Sequence, residues 1–315
     1  MPNSFKPIDL SQVKTYPLSE RKSKVSAKDF ARVWQKGLRY KDFLDSLPDI
    51  LAGKHIKSVI SSIATAVRKN KTVIFAMGAH VIKVGLNPVV IDLMERRVIT
   101  AVAMNGAGII HDLELAMVGR TSEDVAAALD NGSFGMADET CSLLSQAVNL
   151  AGHKFIGLGD AVGRIITERA LPHQNQSILA AGIRLDIPVT VHVAIGTDII
   201  HMHPNFDARE TGEATHKDFR KFSAVVASLE EGVFLNVGSA VIMPEVFLKA
   251  LTLVRNLGHD IENFTTVNMD FIRQYRPLTN VVKRPTLKGG RGFDLTGHHE
   301  IMVPLVAAGI IEQIG

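Results

Sequence analysis

The residues best placed to do chemistry follow short apolar runs. His111-Asp112 comes two residues after Asn105-Gly106-Ala107-Gly108, which itself follows the run Ile99–Met104. Histidine exchanges protons near neutral pH, and a carboxylate close by can orient it or raise its pKa. Neighbours on a helix diverge by about 100°, so His111 and Asp112 need not touch. Two readings stay open for the pair: acid–base chemistry, or a surface histidine beside a capping or salt-bridging aspartate.

A second set is His201-Met202-His203, with Asp198 and Asp207 nearby. In an extended segment residues i and i+2 share a face, so two histidines and an aspartate could ligate zinc and activate water. A lone His-x-His also serves as a substrate-facing pair, and no metal is assigned. His298-His299 reads as a helix start facing the same edge. Gly157-Leu158-Gly159-Asp160-Ala161-Val162-Gly163 imitates a dinucleotide fingerprint, but its last spacing is one residue too long. It also lacks a good strand before it, so a helix-packing or turn role is the better reading.

The elements that must position these groups alternate. Apolar runs at 72–77, 99–104, 188–195, 233–237 and 264–267 read as strands. They end in Gly78-Ala79-His80, Asn105 to Gly108, Gly196-Thr197-Asp198, Gly238-Ser239 and Asn268. Helical patterns cover 27–36, 40–47, 54–69, about 80–94, 109–131, 137–170, 174–184, 216–230, 243–257 and 299–312. Ser26 and Asp29 form a capping-box pattern for the first. Strands alternating with helices predict a mostly parallel sheet covered on both faces, a Rossmann-like α/β fold. Its strand tips then share one edge, where small residues let a ligand approach the backbone. Residues 1–70 read as a polar arm and helical extension, and 71–315 as the main domain.

Composition agrees with that class. The chain has 315 residues, 46% hydrophobic but only 6% aromatic, the Val/Ile/Leu/Ala bias of strands buried on both faces. A net charge of +3 with dispersed Lys and Arg excludes a nucleic-acid stripe; Arg21-Lys22-Ser23-Lys24 is a solvated arm. Cys141 is the only cysteine, so no intrachain disulfide forms, and it reads as a packed thiol. No apolar signal core or membrane-length run is present, and a cytoplasmic protein is expected.

In order and spacing, these segments resemble the deoxyhypusine synthase family from about Thr72 onward. Ile74 to His80 is similar to that family's first nicotinamide-binding strand and turn, and Ala103 to Asp112 to its Thr-Ala-Gly-Gly stretch with following acids. Pro188 to Asp198 resembles its Asp-Gly-Ser strand, Leu235 to Ser239 its glycine triplet, and Val267-Asn268 its Ile-Asn-Thr. Phe293 to Gly297 with Met302 to Leu305 resembles the terminal block. The resemblance implies bound NAD, a homo-oligomer (dimer or tetramer) and a small-molecule substrate. It gives Gly78, Ala79, His80, Asn105, Gly106, Ala107, Gly108, Gly196, Thr197, Asp198, Gly238, Ser239 and Asn268 to the cofactor.

The position of the family's imine-forming lysine holds Asp294, and a carboxylate forms no Schiff base. Met243-Pro244 stands in place of a histidine pair and His111 in place of an acid; Lys283 and Lys288 fall outside the lysine's position. The expectation is therefore an NAD-binding enzyme acting on a small amine-bearing metabolite without a lysine imine. His111, Asp112 and Asp294 are its catalytic candidates, and Asp198, His201 and His298 its substrate contacts. The alternatives are a non-catalytic nucleotide or metabolite binder, and a metal-dependent hydrolase at His201 and His203.

Overall fold

Strands form where apolar side chains alternate toward two faces that helices then cover. In the computed structural model, which describes residues 5–315, six strands do this: β1 (Val73–Met77), β2 (Ala101–Asn105), β3 (Val189–His192), β4 (Val233–Val237), β5 (Thr265–Asp270) and β6 (Arg291–Thr296). All pair in parallel, in the order β3-β2-β1-β4-β5-β6. Along β1, Val73, Phe75 and Met77 enter one core while Ile74 and Ala76 enter the other.

The helices are α1 (Tyr40–Ser46), α2 (Leu51–Arg68), α3 (His80–Lys83), α4 (Asn87–Glu95), α5 (Gly106–Val118), α6 (Val125–Leu129), α7 (Asp138–Lys154), α8 (Leu158–Glu168), α9 (Ile178–Leu185), α10 (Ala208–Val226), α11 (Ile242–Asn256), α12 (Tyr275–Pro277) and α13 (His299–Ile314). The larger core lies under α2, α4, α5, α8, α9 and α13, and the smaller under α10 and α11, where Phe234 stacks on Phe247 at 3.7 Å. Among the described residues no helix is long and apolar enough to cross a membrane.

Five strands fall where the apolar runs lie, with shifted ends. The third closes at His192, because the Val193 N–H turns to the Thr215 hydroxyl at 3.0 Å. β6 is an added edge strand: its first two residues are exposed and only Leu295 is buried, so it carries no continuous apolar run. The helix expected over 27–36 is a single 3₁₀ turn at Ala27–Asp29, where Asp29 accepts the Ser26 N–H at 2.9 Å. Beyond it Val33 is 90% exposed, so no apolar face is buried to hold a helix. The pattern over 109–131 breaks at Gly119, left-handed at φ +67°, and that over 137–170 breaks at Phe155. Of the arm, residues 1–4 lie outside the described residues; from residue 5 to the start of α1 it is mostly exposed, without α-helix.

The false fingerprint is a packing device. A Cβ on Gly157 would stand 1.9 Å from Asp218 Oδ1, and one on Gly159 1.9 Å from the Val189 carbonyl. Asp218 Oδ2 accepts the Gly159 and Val191 N–H groups at 2.9 and 3.0 Å, while its buried Oδ1 has no partner. Burial pushes this carboxyl from 3.8 up to about 7, against those two hydrogen bonds. The folded chain therefore prefers the neutral acid, and the stability it confers is present below about pH 4 and lost as pH rises toward 7. Asp218→Asn keeps the shape without the charge. In urea unfolding the wild type is expected to lose about 2–3 kcal/mol more than the variant between pH 5 and pH 8. Equal losses would contradict this account of the junction.

Candidate functional site

The sheet order reverses between β1 and β4, which start from the middle and run outward to opposite sides. Such a switch point leaves a crevice at the carboxyl ends of the two strands. Here the tips meet backbone to backbone. The Gly78 N–H donates to the Val237 carbonyl at 2.9 Å, and a Cβ on Gly78 would lie 2.2 Å from the Gly238 carbonyl oxygen. Gly238, at φ +67°, donates to the Met269 carbonyl at 3.0 Å and lies against the His299 ring. Both glycines are thus required by close approach.

Around this tip stand half-buried Ala79, exposed His80 and buried Ser239, whose hydroxyl accepts the Met243 N–H at 3.1 Å to cap α11. The His80 ring is 5.4 Å from that of His299 and 5.5 Å from Phe271. His299 is fully buried, with Nε2 3.3 Å from the Met269 carbonyl and Nδ1 unpartnered.

Asn268 belongs to a polar row across β4, β5 and β6. Asn236 donates to Asn268 Oδ1 at 2.9 Å, and Asn268 donates to Asp294 Oδ1 at 2.8 Å. Arg273 Nε donates to Asp294 Oδ2 at 2.8 Å. Both oxygens of Asp294 are engaged within the chain, so this residue holds the row rather than standing free as a catalytic carboxylate. Asp112 is corrected further. It is fully buried and accepts four hydrogen bonds, from Asn87 Nδ2, Ser177 Oγ and the Ile178 and Leu179 N–H groups. It fastens the α9 N-terminus and turns away from His111.

The β2 and β3 tips build a cavity of about 430 Å³. Its lining includes Lys83 from α3, His111 and Glu114 from α5, Arg120 and Thr121 from the following loop, and Asp198. Asn105 caps α5 by accepting the Gly108 N–H at 3.2 Å. The rest of that helix mouth, which the family resemblance gives to the cofactor, takes the Asp198 carboxylate. A Cβ on Gly106 would lie 2.0 Å from Asp198 Oδ2, and Gly108 packs on Met104. These glycines therefore serve internal packing, and an internal carboxylate meets the positive end of the helix dipole. Asp198 is 8% exposed with Oδ2 unpartnered. Burial pushes its carboxyl up to about 6.

His111 Nδ1 lies 2.7 Å from Thr121 Oγ, whose hydroxyl donates to Glu114. That direction makes Nδ1 the donor and leaves Nε2 as the basic nitrogen. Burial raises the Glu114 carboxyl, but hydrogen bonds from His111 and Thr121 outweigh it and hold it below the usual range. Lys83, Glu114, Arg120 and Thr121 were missed in the sequence. Only Glu114 carried a signal, three residues after His111 on one helix face.

His201 closes the Gly196–Asp198 turn instead of facing a ligand. Its Nδ1 accepts the Gly196 and Asp198 N–H groups at 3.1 and 3.3 Å. That nitrogen is thereby unavailable to a metal, and no three His, Cys, Asp or Glu side chains gather to hold one among the described residues. His298 is exposed and lies parallel to Phe271, their ring centres 6.2 Å apart, beyond β5. With three strands between β3 and β5, it stands roughly 19 Å from Asp198 along the edge. The intended trio of Asp198, His201 and His298 therefore splits.

No protein-family model and no curated protein matches the sequence. Solved structures do. One assigned as a deoxyhypusine synthase, from Entamoeba histolytica, aligns with a TM-score of 0.54 at 11% identity over 90% of this chain and 96% of its own. AgrE, in its ternary complex with ornithine and NAD+, aligns at 0.55 and 12% identity over 84% of this chain. A conserved protein assigned as LOR/SDH, from Methanococcus maripaludis S2, aligns at 0.51 and 13% identity, over 84% of this chain and 71% of its own. The chain spans about a third of AgrE, 34% of its length. Identities this low speak for the fold alone. The chain has a Rossmann-like, deoxyhypusine synthase-like α/β fold.

Proposed function

We propose that this chain is an NAD-binding enzyme acting on a small amine-bearing metabolite, without a lysine imine. The observation that carries the reading is the switch point between β1 and β4. There Gly78 and Gly238 let the two strand tips meet backbone to backbone at the crevice, and α3 runs from this tip, at His80, to the adjoining cavity, at Lys83. One group at the tip suits a dinucleotide: a buried, unpartnered His299 Nδ1 free to accept a hydrogen bond. The cofactor set is then Gly78, Ala79, His80, Gly238 and Ser239, with Asn268 behind them. The α5 mouth, held by Asp198, leaves the cofactor set. The AgrE complex offers a precedent for this fold with NAD+ and an amino acid.

When bound, NAD supplies a hydride acceptor. The chain's own residues do the rest. Asp198 grips an ammonium group, since a buried carboxylate pairs strongly with one. His111 takes or returns a proton at Nε2, while Thr121 and Glu114 hold its ring. Apolar arm residues, with Phe5 at 90% and Ile8 at 86% exposed, suit burial by a second copy, and the proposal includes a homo-oligomer.

The filled α5 mouth and the engaged Asp294 favour one rival, a ligand-binding protein without turnover. It shares the binding step and differs only in lacking a reaction. Calorimetric titration with NAD tests that shared step: binding is expected with Kd between about 10 μM and 1 mM. A folded protein that releases no heat at several times the upper bound would overturn the cofactor assignment.

A further inference from the structure

We propose that the cavity between the β2 and β3 tips selects a zwitterion, with an ammonium on Asp198 and a carboxylate between Lys83 and Arg120. This rests on reading that cavity as the substrate site and specifies what enters it.

Three acids line the cavity, and two of them are engaged inside the chain. Glu114 takes the Thr121 hydroxyl and the Thr140 hydroxyl, the latter at 3.2 Å. Glu123 accepts the Gly135 N–H at 2.9 Å. Only Asp198 keeps a buried oxygen without a partner, and a buried acceptor left open calls for a donor from outside.

The cations are in the opposite condition. Lys83 and Arg120 line the cavity from two separate elements, and neither forms an ion pair or a side-chain hydrogen bond among the described residues. Other cations on this surface do pair with acids, as in Lys221–Asp160 and Arg184–Glu95. The site thus presents one open anion deep inside and two open cations at its exposed mouth. Ile110, Phe134 and Ile199 add apolar wall for a short methylene chain.

A diamine satisfies Asp198 but sets its second charge against Lys83 and Arg120. A dicarboxylate satisfies the mouth but sets its second charge against Asp198. Only opposite charges at the two ends meet both conditions. A volume of about 430 Å³ suits such a small molecule.

Three five-carbon probes test this by calorimetry on the full chain, with and without NAD: 5-aminopentanoate, cadaverine and glutarate. They differ only in the charges at their ends. The zwitterion is expected to bind at least about tenfold more tightly than either of the others. In the Lys83→Met/Arg120→Met variant, altered only at exposed positions, its advantage over cadaverine should shrink to about threefold or less. In Asp198→Asn, its advantage over glutarate should shrink likewise.

Cadaverine binding as tightly as 5-aminopentanoate, no probe binding at about 10 mM to folded protein, or a preference that survives the double substitution would each overturn the zwitterion assignment. NAD heats recorded in the same runs keep the two readings apart. A preference without NAD binding removes the cofactor alone, and NAD binding without a preference removes the zwitterion alone.

Discussion

Asp112→Ala should cost about 3–5 kcal/mol of folding stability, a large share of the roughly 5–15 kcal/mol typical of a folded domain. Oδ1 of Asp112 accepts from Asn87 Nδ2 and the Ile178 N–H, both at 2.9 Å. Oδ2 accepts from Ser177 Oγ at 2.5 Å and the Leu179 N–H at 3.1 Å. The carboxylate thereby ties the N-termini of α4 and α9 to the middle of α5, in a place no water reaches. Alanine leaves those donors without an acceptor and the positive end of α9 without its counter-charge. His111→Gln, one residue earlier but facing the cavity, should cost less than about 1 kcal/mol. Urea midpoints of the two variants separate the roles. Equal, small losses would mean that Asp112 is not a structural anchor and would return it to the catalytic candidates.

Gly78→Ala is expected to part the two central strands. The new Cβ would meet the Gly238 carbonyl oxygen at 2.2 Å and its carbon at 2.9 Å. Both are backbone atoms, so no rotamer change relieves the contact. The hydrogen bond from the Gly78 N–H to Val237 stretches with it. Overpacking of this kind costs about 1–3 kcal/mol, and NAD affinity should fall by about tenfold or more. Gly212→Ala in α10 is the matched control. Nothing lies within 4 Å of its added Cβ, so helix propensity should make it stabilising by about 0.5–1 kcal/mol. A Gly78 variant as stable as the control, with NAD binding unchanged, would mean that the tips are not where the cofactor lies.

The two variants also mark what is legible in the chain and what is not. Val73 to Met77 reads as a strand because both its faces are buried, and the same holds for β2 to β5. Arg291 to Thr296 does not, because this edge strand buries only Leu295 and starts beside Gly289 and Gly290. The helix pattern over 27–36 has a good cap but no face to bury, so a cap alone does not make a helix.

At the site, the small residues at the strand tips mark the correct edge, but their reasons lie in partners distant in sequence. Gly106 is small because Asp198 fills the α5 mouth, and Gly78 because Gly238 abuts it. Glu114 could be placed near His111 from helix periodicity. Lys83, Arg120 and Thr121 could not, since a turn, a loop and the strand order bring them there. Adjacent numbering suggested His111 and Asp112 as a pair, whereas the helix turns them to opposite tasks.

The proposed function places a dinucleotide at the β1–β4 tips, beside a substrate cavity. A crystal structure of the chain soaked with NAD tests it most directly. The pyrophosphate is expected over Gly78 and Gly238, with the nicotinamide end opening toward the cavity of His111 and Asp198. Density for NAD at any other edge of the sheet, or at the α5 mouth with Asp198 displaced, would contradict it.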